Sequence, residues 1–201
     1  AEEFDFRLME WTLDQHDLHL NPLLSKEGRS EINKLSLKHK IKIPSLTGDC
    51  FMQAPFWKAK GERNRILTED FFTILDACKE LSISSIVVPL VDNGRLENKA
   101  QQDYLLNFFK DHLQRFKLNN QRILFESDFA PIELAKFIER LDPSYFGINY
   151  DIGNSAALGF IPREEFQAYG FRIMNIHVKD REFGGTTVPL GQGNANFDLV
   201  F

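Results

Sequence analysis

Two carboxylates and one imidazole recur one structural period apart, each inside a short apolar run. They are Glu126 in Ile123-Leu-Phe-Glu-Ser127, Asp151 in Ile148-Asn-Tyr-Asp-Ile152 and His177 in Asn175-Ile-His-Val-Lys179. Glu126 and Asp151 are 25 residues apart, Asp151 and His177 are 26 apart, and a strand–helix–strand step has about that length. If the three runs are neighbouring parallel strands, their side chains converge at one end of a sheet. Two carboxylates and an imidazole then make most of a divalent-metal site. The oxygen ligands suit Mn²⁺ or Mg²⁺, and the imidazole also admits Zn²⁺ or Co²⁺.

The elements that must position these groups are legible as alternating patterns. Strands are predicted at about Arg7–Trp11, Ile41–Thr47, Ser85–Leu90, Ile123–Ser127, Gly147–Asp151 and Ile173–Val178. Helical periodicity lies between them. Thr68–Leu81 puts Phe71, Ile74, Leu75 and Cys78 on one face, with Thr68 as cap. Gln102–Leu118 carries Leu105, Phe108, Phe109, His112 and Phe116 on one stripe. Pro131 and Pro162 stand where first helical turns begin, with Glu133, Glu164 and Glu165 close behind. Strand–helix repeats of this kind imply parallel strands joined by right-handed crossovers.

Either an open doubly wound sheet or a (β/α)₈ TIM barrel satisfies the pattern. No G-x-G-x-x-G or G-x-x-x-x-G-K-[ST] supports a nucleotide-binding open sheet. Polar residues gather instead at the carboxyl ends of many strands: Glu10, Thr47, Asp49, Asp92, Glu126, Asp151 and His177. A barrel brings all its strand ends around one site, so the barrel is the expected α/β architecture. The legible strands number about six where a barrel needs eight. The expectation is therefore a single barrel domain over residues 1–201 that lacks the first strand and the last strand–helix unit.

Bulk composition narrows the class. The chain has 201 residues, 43% apolar and 26% charged, which fits one ordinary globular core. A net charge of −5 argues against a nucleic-acid partner, and no apolar run is long enough to span a bilayer. Only Cys50 and Cys78 occur, so no disulfide framework is implied, and the cytoplasm is the expected location. Assembly into a homo-oligomer is left open.

Several segments together resemble the xylose-isomerase-like barrel superfamily of sugar and sugar-phosphate isomerases and epimerases. Phe4-Asp-Phe-Arg-Leu-Met-Glu10 is similar to its early F-D-x-x-E strand, and Tyr150-Asp-Ile-Gly-Asn154 to its sixth-strand D-x-G-[NH]. Ile176-His-Val-Lys-Asp180 resembles the seventh-strand H-x-K-D, and Val188-Pro-Leu-Gly-Gln-Gly193 the P-L-G-x-G loop before the eighth strand. The resemblance implies a metal held by Glu126, Asp151, His177 and an eighth-strand Glu whose place falls beyond Phe201. It implies a ketose or ketose phosphate as substrate, with Glu126 as ligand and base. Two other readings use the same fold: an apurinic-site endonuclease, which would need more histidines than stand here, and a catalytically inactive sugar-binding barrel.

The remaining candidates are substrate contacts. Glu10 ends a strand at the expected active face and is read either as a sugar contact or as a salt-bridge partner. Asn154, in the loop above the metal, could bond a sugar hydroxyl or cap the next segment. Lys179 could neutralise an enediolate or a phosphate, with Asp180 orienting it. Gly191 and Gly193 could let backbone amides approach a phosphate, a weaker reading than a plain turn. The aromatic stretch Gly48–Trp57 is expected to be a lid, with Phe51 and Trp57 as its apolar wall. His16, His19, His39 and His112 are read as surface or structural residues.

Overall fold

A computed structural model describes residues 5–201; Phe4, which opens the F-D-x-x-E-like segment, lies outside the described residues. The chain divides into two compact units, Ala1–Ile123 and Leu124–Phe201. The first carries β1 (Leu8–Leu13), α1 (Lys26–His39), β2 (Lys42–Gly48), α2 (Asp49–Gln53), α3 (Gly61–Glu80), β3 (Ser85–Leu90), α4 (Lys99–Asp111) and α5 (Leu113–Asn119), and it ends as β4 (Arg122–Ser127) begins. Its strands are ordered β1-β2-β3, with both pairs parallel. Strand and helix alternate as the apolar periods predict.

Two helices differ from their predicted spans for physical reasons. α3 starts at Gly61, seven residues before the predicted start, and Lys60 rather than Thr68 is its N-cap residue. Arg65 pairs with Glu62 and Glu69 on its first turns, and such i,i+3 and i,i+4 ion pairs sustain a helix without an apolar stripe. Thr68 lies mid-helix, with its buried Oγ1 lacking a hydrogen-bond partner. The Gln102–Leu118 stripe is not one helix. It breaks at His112, whose backbone (φ −100°, ψ 7°) separates α4 from α5 and whose Nδ1 lies 2.8 Å from the Phe108 carbonyl. Both pieces still bury the predicted side: Leu105, Phe109 and Phe116 are fully buried. The stretch after β2 is also not an open lid, because Asp49–Gln53 coils into α2.

In the second unit the order is β4-β5-β6, with β5 (Phe146–Asp151) and β6 (Ile173–His177) parallel. Three helices intervene: α6 (Pro131–Ile138), α7 (Ile152–Leu158) and α8 (Pro162–Tyr169). Pro131 and Pro162 occupy the first turns of α6 and α8, as predicted. Phe125 on β4 packs edge-on against Phe137 of α6 and stacks on Phe146 of β5, which fixes these elements against one another. After β6 the chain forms a short antiparallel ribbon, β7 (Asp180–Arg181) with β8 (Thr187–Val188), and then α9 (Phe197–Val200). None of the helices of the described residues is long and apolar enough to cross a membrane.

Candidate metal centre

Side chains at alternate strand positions share a face, so Asn149 and Asp151 of β5 point one way and Tyr150 the other. The β5–β6 register sets Asn149 opposite Asn175 and Asp151 opposite His177. Glu126, next to the end of β4, completes the group. The ligand atoms of Glu126, Asp151 and His177 all lie within 4.8 Å of one another. His177 Nδ1 is 3.2 Å from Glu126 Oε2 and 4.0 Å from Asp151 Oδ2. Ligands held at ~2.1–2.3 Å from one ion lie roughly 3–4.5 Å apart, so these atoms fit a divalent cation.

Each carboxylate is held by its other oxygen. Asp151 caps α7: its Oδ1 accepts the Asn154 backbone N–H at 2.8 Å. The Asn154 side chain then donates from Nδ2 to Glu126 Oε1 at 2.6 Å. Asn154 sits inside α7 rather than in a loop, and it holds the outer oxygens of both acids. The atoms facing His177 also have donors. Asn175 Nδ2 donates to Asn149 Oδ1 at 2.8 Å, so the Asn149 amide turns its Nδ2 toward Glu126 Oε2 (2.7 Å) and His177 Nδ1 (3.0 Å).

Lys179 lies beside the cluster, with its Nζ 2.7 Å from Asp151 Oδ2. Gly153 permits this approach, since a Cβ there would press to 3.0 Å on the lysine Cγ. Asp180 behaves differently from expectation. It is buried and its oxygens accept backbone N–H bonds from Gly191, Gly193 and Ala195. Burial raises its pKa, but these bonds and one from the Arg181 backbone outweigh that and hold the carboxyl below its ordinary range. It therefore ties down the loop instead of orienting Lys179. The amides of Gly191 and Gly193 are already committed to Asp180, so the phosphate reading of these glycines does not hold. Gly193 is required here: a Cβ would overlap Asp180 Oδ1 and come within 2.6 Å of the Arg181 carbonyl oxygen.

The other candidates belong to the first unit. Glu10 Oε1 accepts the Thr47 hydroxyl at 2.6 Å. Phe51 and Trp57 are core residues, not a lid wall. The Phe51 ring packs 5.0 Å from Phe71, and Trp57 Nε1 donates to the Gly94 carbonyl at 3.0 Å. Cys50 and Cys78 are buried free thiols, their pKa pushed up to about 12 chiefly by desolvation. A cavity of about 520 Å³ in this unit, between α1 and β2, is lined by Ile32, Leu37, Ile41 and Ile43 among others and has no carboxylate or imidazole.

Sequence reasoning missed Asn149, Asn175 and Arg181. The first two had a signal, because each stands two residues before a candidate ligand and so on the same strand face. It also missed the character of Glu165. Its Oε2 accepts the hydroxyls of Ser155 and Tyr150 at 2.5 and 2.8 Å, and Oε1 that of Tyr169 at 2.7 Å. Burial, reinforced by this carboxylate, raises both tyrosine pKa values, so their hydroxyls stay protonated donors.

No curated protein sequence matches the chain. Among solved structures, a xylose isomerase domain protein from Planctomyces limnophilus superposes with TM-score 0.78 at 16% identity, covering 99% of this chain and 76% of that one. The IOLI protein with a bound zinc atom gives TM-score 0.77 at 18% identity, covering 99% and 74%. A D-tagatose 3-epimerase-like protein gives 0.73 at 21%, covering 98% and 77%. At these identities the likeness establishes the fold, and it decides for the barrel class over the open sheet. The family pattern for a xylose isomerase-like TIM barrel matches residues 1–201, and the chain belongs to that family.

Proposed function

We propose that the chain is a divalent-metal-dependent isomerase or epimerase of a ketose or ketose phosphate. The observation that carries this is the convergence of Glu126 Oε2, Asp151 Oδ2 and His177 Nδ1, with the outer oxygens of both acids held by Asn154. A Mn²⁺, Mg²⁺, Co²⁺ or Zn²⁺ ion held by these atoms would act as a Lewis acid on the sugar's carbonyl and hydroxyl oxygens. Glu126 Oε1 takes the proton from the carbon beside the carbonyl, giving an enediolate, and the Asn154 side-chain amide, donating from Nδ2, keeps that oxygen aimed. The Lys179 ammonium supplies positive charge for an enediolate oxygen or a phosphate. The family and the epimerase-like neighbour support this reading.

The test is exchange of substrate protons with solvent. The chain with Mn²⁺ or Co²⁺, incubated in deuterated water with D-fructose, D-tagatose or their 6-phosphates, should incorporate deuterium at carbon, read by NMR. Glu126→Gln should abolish incorporation while leaving the fold intact. Undiminished incorporation in that variant would remove Glu126 as the base.

A further inference from the structure

We propose that Arg181 is a positioning residue: through Asn154 it aims Glu126, and with it the pair of carboxylates, at the metal. The proposal rests on the metal centre argued above. An asparagine amide is nearly symmetric in shape, and only its hydrogen bonds decide which end faces a neighbour. Asn154 must present Nδ2, not Oδ1, to Glu126 Oε1; the reverse would set oxygen against oxygen. Arg181 makes that choice. Its Nη1 donates to Asn154 Oδ1 at 2.8 Å, which leaves Nδ2 as the end that reaches Glu126 at 2.6 Å. The chain Arg181–Asn154–Glu126 thus fixes Oε1 outward and Oε2 toward His177.

The guanidinium is itself held in place. Its Nη2 donates to the Gly185 carbonyl at 2.7 Å, inside the turn that joins β7 to β8. The Arg181 backbone carbonyl accepts from Asn194, in the loop gathered by the Asp180 carboxylate. The buried Nε has no partner, a cost that surface arginines avoid. The small β7–β8 ribbon contributes no metal ligand, but it delivers a rigid fork to Asn154. Donors that orient metal-binding carboxylates typically change metal affinity by about 10–100-fold when removed.

Charge alone predicts the opposite sign, which makes the proposal decidable. Removing a nearby cation should strengthen binding of another cation, whereas removing an aiming group should weaken it. Co²⁺ affinity is measured by calorimetry, and the visible Co²⁺ absorption reports coordination, for the unaltered chain, Arg181→Met, Arg181→Lys, Asn154→Ala and Arg181→Met/Asn154→Ala. Arg181→Met should weaken Co²⁺ binding at least about ten-fold and alter the absorption band, with Arg181→Lys in between. In the Asn154→Ala background Arg181→Met should weaken binding no further, because the link to Glu126 is already cut. Unchanged or tighter binding by Arg181→Met, or an equal loss in both backgrounds, overturns the proposal. If Arg181→Met does not fold by circular dichroism, Arg181→Lys decides alone, and unaltered affinity in it is refuting. An unaltered chain that binds no Co²⁺ overturns the metal centre and this inference together. Binding there with an unaffected Arg181 variant overturns the inference only.

Discussion

Replacing Asn149 by leucine tests the polar network at its centre. Asn149 is 2% exposed and makes three contacts: it accepts from Asn175, donates to Glu126 Oε2 and lies 3.0 Å from His177 Nδ1. Leucine keeps the volume and removes all three. At ~0.5–1.5 kcal/mol net for each bond, with the one to a carboxylate at the upper end, the loss should be about 2–4 kcal/mol. For a chain of this size that corresponds to a fall of roughly 5–15 °C in melting temperature. Denaturant unfolding should show the same loss as a lower midpoint with unchanged slope. The sign then reverses in the presence of metal. A cation at the centre would take the Glu126 Oε2 and His177 Nδ1 atoms that the Asn149 amide now approaches, so in the parent chain binding must displace that amide. The variant has nothing to displace, and saturating Zn²⁺ should raise its melting temperature by more than it raises the parent's. A loss below ~1 kcal/mol, or a metal-induced gain no larger than the parent's, would refute the reasoning.

Two further outcomes follow from neighbouring groups. Lys179→Met keeps the stem against Gly153 but removes the ammonium shared with Asp151 Oδ2, so calorimetry should show tighter divalent-metal binding, by several-fold for about 1 kcal/mol of relieved repulsion. Deuterium incorporation should fall at the same time, and weaker metal binding would contradict the assignment. Asp180 has a folded-state pKa below its ordinary 3.8, so its stabilisation is present above that value and is lost as pH falls through the lower folded value. Asp180→Asn should therefore flatten the acid limb of the stability curve below about pH 3.8, and parallel curves for the two proteins would sink the idea.

The three ligand candidates were legible because type, spacing and strand pattern coincide at Glu126, Asp151 and His177. The strand–helix alternation was legible for the same reason: burial imposes a period on sequence. What escaped lacks a period. The first turns of α3 are sustained by charge pairs, and the break at His112 is a local backbone event inside an unbroken apolar stripe. Lid-like aromatics such as Phe51 and Trp57 look alike whether they face solvent or a core, and only tertiary packing distinguishes them. Asp180 and Arg181 were hidden differently. One read as an orienting acid and the other was not singled out, because their partners are backbone groups and an amide that no spacing rule connects.

The two faces of β5 make different demands on the folding chain. Asn149 and Asp151 face the candidate metal centre, while Tyr150 between them donates its hydroxyl to the carboxylate of Glu165. Slippage of this strand by one residue against its neighbours would turn each set toward the other's surroundings. An apolar strand so displaced would merely trade one hydrocarbon contact for another. Here the slipped state would leave a phenol facing Glu126 and His177 and an aspartate facing Glu165. The groups assigned to chemistry thus also proofread the assembly of the sheet, and a substitution that makes β5 uniformly apolar should yield a protein that misaligns before it loses stability.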